Sequence, residues 1–92
     1  MGKSPRPRPR KLPAKLLKIR QALGMSQSQM LVALGLDKEL FASTVSGYEL
    51  GRREPPLPVL LTYARLAGVV IDVLVDDEVD LPRRLPVKAK PR

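Results

Sequence analysis

Apolar residues recur along the chain at helical rather than strand spacing. Leu12, Leu16, Ile19 and Leu23 are four, three and four apart, one face of a helix, and Gly24 follows as a stop. Ser26 and Gln29 then have capping-box spacing, in which each side chain reaches the other residue's free backbone N–H. Met25 before that cap and Met30 four residues past it are placed as a hydrophobic staple. Met30, Ala33 and Leu34 form the second apolar stripe, and Gly35 ends it.

A third element runs from Ser43 to Leu50 and stops at Gly51. Its pattern turns Val45, Tyr48 and Leu50 inward and leaves Ser43, Thr44, Ser46 and Gly47 outside. An outer face of Ser, Ser and Gly has weak helix propensity, so packing must hold it. In the fourth element Pro58 suits a first helical position, and Leu57, Leu60, Leu61, Ala64 and Ala67 make a stripe before Gly68. Ile71 to Val75 is rich in β-branched residues, which favour a strand. A lone strand has no partner among four helices, so this stretch reads as a short fifth helix. The expected fold class is all-α, a compact five-helix domain over 12–76. A basic Pro/Arg arm over 1–11 and an acidic-then-basic tail over 77–92 are both expected to be disordered.

Charge divides the chain the same way. Residues 1–20 hold eight bases and no acid, 83–92 hold five bases and no acid, and 21–82 hold four bases against nine acids. The net charge of +8 therefore belongs to the two ends. After Ser4, residues 5–10 alternate Pro with Arg, with nothing apolar to bury and no backbone donor at each Pro, which predicts an extended, solvated segment. Leu81, Leu85 and Val87 are apolar enough to pin part of the tail. Basic arms on a compact body suit a polyanion, since they neutralise phosphates and release counterions. A merely solubilising terminus is the alternative for each. The acidic run Asp76, Asp77, Glu78 and Asp80 reads as a solvated exit from the last helix, or else as a hold on the basic tail or a charge that repels DNA from that side.

Composition narrows the chemistry. With no His and no Cys there is no imidazole acid/base, thiol nucleophile, disulfide or His/Cys zinc site. No nucleophile–base pair or metal cluster is apparent, so an enzyme is the least expected class, and no cofactor is implied. No apolar run approaches the roughly 20 residues of a membrane span, and Lys15, Lys18 and Arg20 interrupt any signal-peptide core. The expected setting is cytoplasmic and nucleoid-associated, with no membrane partner.

Three ordered fragments complete the picture. They are Arg20-x-x-x-Gly24-Met25-Ser26-Gln27, then Thr44-Val45-Ser46-x-Tyr48-Glu49-x-Gly51-Arg52-Arg53-x-Pro55, then Leu60-Leu61-x-x-Ala64-Arg65-x-x-Gly68-Val69-x-Ile71-Asp72-x-Leu74. With helix-sized gaps between them, they resemble the lambda-repressor/Cro-like helix-turn-helix family (the XRE family) from about Leu16 to Val75. The resemblance implies a repressor-like domain whose second and third helices form the helix-turn-helix. The third helix would enter the major groove and the second would cross the phosphate backbone. Carried over by position, Gln27 would bond a phosphate, Ala42, Ser43, Thr44, Ser46 and Gly47 would face base edges, and Arg52 and Arg53 would contact phosphates. Arg20 and Glu49 would form a partly buried ion pair between the first and third helices. Glu49 also stands near a helix C-terminus, where the dipole disfavours a negative charge, and a guanidinium can bind it through two parallel bonds. Gln27, the Arg52/Arg53 pair, and Arg20 and Glu49 also have a plain reading as solvated surface groups.

Two departures from the family pattern bear on function. Residues 36–42 lengthen the turn between the second and third helices, placing Lys38 near a DNA backbone. Leu40 and Phe41 are apolar enough that they should pack down as an extra turn, with Asp37 as a cap. The reading face also lacks the Arg, Lys, Asn or Gln that make paired bonds to a base. Modest base specificity follows, supplemented by the arm: Arg6, Arg8, Arg10 and Lys11 can meet phosphates, and Arg8 and Arg10 can enter a narrow minor groove. The expected function is sequence-preferring binding of double-stranded DNA by a repressor-type transcriptional regulator, acting as a homodimer on paired half-sites. Two alternatives stand beside it: an antitoxin-like or adaptor module whose main partner is a protein, and a sequence-blind nucleic-acid chaperone.

Overall fold

The computed structural model describes residues 8–86. Its order is α1 (Leu12–Leu23), α2 (Gln27–Ala33), α3 (Ala42–Glu49), α4 (Leu57–Ala67) and α5 (Asp72–Val75), with no strand among the described residues. The fold class is all-α. The stretch with strand propensity is the short α5, which packs on α1 and α4. The arm and tail at 1–7 and 87–92, with Arg6 and Val87, lie outside the described residues.

The helix starts and stops follow local chemistry. Ser26 Oγ accepts from the Gln29 backbone N–H at 3.0 Å, and Gln29 Oε1 accepts from the Ser26 N–H at 2.8 Å, closing the capping box of α2. Gly24, Gly35, Gly51 and Gly68 all sit at positive φ, past α1 to α4. At Gly68 (φ +76°) the requirement is double: a Cβ there would lie 2.6 Å from the Pro86 carbonyl oxygen. Segment 81–86 thus runs close over the end of α4, and Leu81 and Leu85 are half-buried against the core.

The core is one cluster. Leu16 and Ile19 of α1, Met30 of α2, Val45 of α3, Tyr63 of α4 and Leu74 of α5 are fully buried. α3 packs on both α2 and α1, and α1 also carries α4 and α5. Being covered on two sides, α3 has a wide buried face.

Tyr63 is wholly enclosed and its hydroxyl has no hydrogen-bond partner. Burial, first of all, pushes its pKa well up, so the hydroxyl stays neutral. Replacing Tyr63 by Phe removes an unsatisfied polar atom at little cost in volume. Thermal unfolding should show a gain of about 1 kcal/mol; a loss of that size would mean the hydroxyl is bonded.

Lys15 is a charged residue buried beside the core. It is 5% exposed, and its Nζ donates to the carbonyls of Val73 (2.7 Å), Asp76 (3.0 Å) and Val79 (2.7 Å). An ammonium has three donors, and here all three are used. The lysine closes the open end of α5 and ties the 76–79 turn to α1. Lys15→Met keeps the stem but strips three carbonyls of their donor. It should cost about 2–3 kcal/mol in urea denaturation, with faster amide exchange at Val73 to Val79. A cost below about 0.5 kcal/mol would mean water replaces the ammonium without loss.

Candidate nucleic-acid interface

The site is built around Glu49, at the last turn of α3. Its side chain is only 5% exposed. Arg20 of α1 donates to it through Nε (2.6 Å to Oε2) and through its second terminal nitrogen (3.0 Å to Oε1). The same guanidinium donates to the Met25 carbonyl at 3.0 Å. Gln27 of α2 adds a third bond, Nε2 to Glu49 Oε1 at 3.1 Å. One carboxylate therefore joins α1, the first turn of α2 and the end of α3. The bonds to Glu49, the largest influence, raise the Arg20 pKa still further. The Gln27 amide nitrogen carries two hydrogens, so one remains for a ligand beyond the one given to Glu49.

The outward face of α3 is narrower than the sequence pattern suggests. Thr44 and Gly47, expected outside, are buried, and Leu50, expected inside, is 60% exposed. α3 packs on both α1 and α2, and Thr44 and Gly47 are buried along with Val45 and Tyr48. Ser43, Ser46 and Leu50 remain, three and four residues apart, as one stripe, with Ala42 half-buried at its start. Gly47 is covered by Arg53: a Cβ at 47 would lie 3.3 Å from Arg53 Cδ. The Gly47 carbonyl also accepts from the backbone N–H groups of Arg52 (2.9 Å) and Arg53 (3.2 Å). Both arginine side chains are exposed at the C-terminal end of α3, where positive charge is favoured.

The lengthened turn also differs from expectation. The Leu36 carbonyl accepts from the N–H groups of Glu39 (3.2 Å) and Leu40 (2.9 Å), so backbone rather than Asp37 closes it. Leu40 packs against the core, but Phe41 stands 79% exposed just ahead of α3. An aromatic residue in that position starts the outward stripe with an apolar group. Lys38 is exposed between Asp37 and Glu39, also exposed, so its charge is locally offset.

The arm root is fastened. Asp77 accepts from the backbone N–H groups of Arg10 (2.9 Å, Oδ2) and Lys11 (3.0 Å, Oδ1). Those two bonds, Lys11 first, hold its carboxyl below the ordinary carboxylate range. Such a group contributes stability above its unfolded pKa and loses it as pH falls through the lower folded value, so the clasp is closed at neutral pH. Lys11 and Asp80 add an exposed ion pair at 3.5 Å, a minor contribution by comparison. The acidic run thus holds the N-terminal arm, where the sequence pattern suggested a solvated exit or a hold on the C-terminal tail. Lys15 and Asp77 are the two residues whose roles sequence reasoning missed, and neither carries a local signal.

Two clefts flank α1. A cleft of about 270 Å³ opens between the arm root and the α3–α4 turn, lined by Arg8, Arg10, Tyr48, Gly51 and Arg53 among others. A larger one, about 790 Å³, separates the 80–85 segment from the Ala14, Lys18 and Ala22 flank of α1. That second cleft is on a different side of α1 from Pro13 and Arg20, which meet the end of α3. Among the described residues no cluster of metal-ligating side chains occurs, and no helix is long and apolar enough to cross a membrane. No protein-family model, curated protein or solved structure matches the chain.

Proposed function

We propose that the chain is a repressor-type helix-turn-helix protein of the XRE kind that binds double-stranded DNA with a sequence preference and regulates transcription. The observation that carries this reading is the stripe Ser43, Ser46 and Leu50, bounded at one end by exposed Arg52 and Arg53. The hub at Glu49 fixes α3 against α2, so that stripe and Gln27 present a rigid surface. Seated in a major groove, Ser43 and Ser46 bond base edges, and Phe41 and Ala42 meet thymine methyls. Arg52 and Arg53 meet phosphates, as do the arm arginines. Thr44 and Gly47 serve the packing of α3 rather than the bases. Exposed Leu57 and Leu61 on α4, with Val75 on α5, offer apolar surface for pairing two copies on a two-fold site.

Selection from a random duplex library by the full chain tests this directly. A palindromic consensus is the expected result, since paired half-sites mirror a two-fold dimer. Retention of duplexes with no consensus would replace the reading with sequence-blind binding, and no retention would remove it.

A further inference from the structure

The geometry points to a built phosphate seat in the 270 Å³ cleft, where Arg8, Arg10 and Arg53 together hold one backbone phosphate of duplex DNA and Asp77 sets the seat by fastening the arm. The source of that phosphate rests on the DNA reading above; the seat itself rests on the cleft.

Three arginines and one acidic residue, Glu54, are among the residues lining this cleft. Its remaining walls are largely apolar, including Leu12, Pro13 and Tyr48, and such walls strengthen attraction to an anion relative to open water. The cleft is smaller than the range typical of drug-sized ligands, which suits a compact group such as a phosphodiester. The arginines come from segments 45 residues apart in sequence, so only the fold brings them together. Two of them are positioned from behind. The Arg53 stem lies over Gly47, where no side chain intervenes, and its backbone N–H is held by the Gly47 carbonyl. Arg10 is held through its own backbone by Asp77, two residues after Arg8. Asp77 belongs to the 76–79 turn that Lys15 ties to α1 through the carbonyls of Asp76 and Val79. The order of support runs from Lys15 to the turn, to Asp77, to the arm root, and to the seat. A guanidinium delivered this way gives up less freedom on meeting a phosphate than one on a free tail.

The test has two arms on the full chain. In the first, inorganic phosphate is titrated at low salt while the arginine Nε–Hε signals are followed by NMR. Arg8, Arg10 and Arg53 should move together along one saturable curve and Arg52 should not; equal or absent movement at all four overturns the seat. In the second, Arg8→Ala and Arg53→Ala are combined in a double-mutant cycle on duplex affinity. Each single change should weaken binding about five-fold or more. The pair should lose clearly less than the product, and Asp77→Ala should abolish that coupling. Multiplicative losses in the native background, or coupling that survives Asp77→Ala, overturn the proposal. Saturable phosphate binding without duplex binding would leave the seat standing and remove the DNA reading. Duplex binding with no coupling would do the reverse.

Discussion

Arg20→Ala should destabilise the protein by about 3–5 kcal/mol, the range found when one partner of a buried pair is removed. The Glu49 side chain is 5% exposed, and Arg20 supplies two of its three hydrogen bonds at 2.6 and 3.0 Å. Without the guanidinium, a carboxylate remains out of water with only the Gln27 amide to answer it. A domain of this size holds roughly 5–15 kcal/mol in all, so the loss takes much of the reserve. At about 4–8 °C per kcal/mol, the melting temperature should drop by more than about 12 °C. Arg20→Lys should recover little, because a single ammonium cannot reproduce the paired geometry and the bond to Met25. Replacing Arg20 by Met and Glu49 by Leu together should recover a substantial part, since no uncompensated charge is left. A loss below about 1 kcal/mol in Arg20→Ala would mean the pair behaves as an ordinary surface pair.

The second large effect concerns salt. Residues 1–9 carry Lys3, Arg6 and Arg8, and removing them spares Arg10, Lys11 and the Asp77 clasp. If Lys3 and Arg6 each meet a phosphate, and Arg8 shares one that Arg10 and Arg53 still hold, the slope of log affinity against log salt should flatten by about 1.8, at roughly 0.9 per phosphate. Between 50 and 200 mM salt that amounts to about 12-fold less loss of duplex binding in the shortened chain. Fluorescence anisotropy with a labelled duplex at four salt concentrations reads this slope. An unchanged slope would show that neither Lys3 nor Arg6 touches a phosphate.

What the sequence discloses follows from how local each cause is. The ends of α2 are legible because Ser26, Gln29 and Gly35 act within a few residues of one another. The four helical stripes are legible because their period is a property of one segment. The width of the α3 face is not, because Thr44 and Gly47 are covered by neighbours that local spacing cannot supply. Phe41 illustrates the reverse: hydrophobicity argues for burial, yet it precedes a helix whose inward side is already filled by Val45 and Tyr48. Lys15 counts as one more charge of the basic segment 1–20 on composition, and only the return of the chain after α5 brings three carbonyls to it. Asp77 likewise reads as part of a solvated acidic run. Its partners are backbone N–H groups more than sixty residues away, which no side-chain pattern can announce.

Amide chemical-shift mapping of the full chain with a selected duplex bears most directly on where nucleic acid would sit. The largest changes should fall on Ser43, Ser46, Leu50, Arg52 and Arg53, extending through Gln27 to the arm root at Arg8 and Arg10. Changes confined to α4 and α5, around Leu57, Leu61 and Val75, with the α3 stripe silent, would contradict that placement.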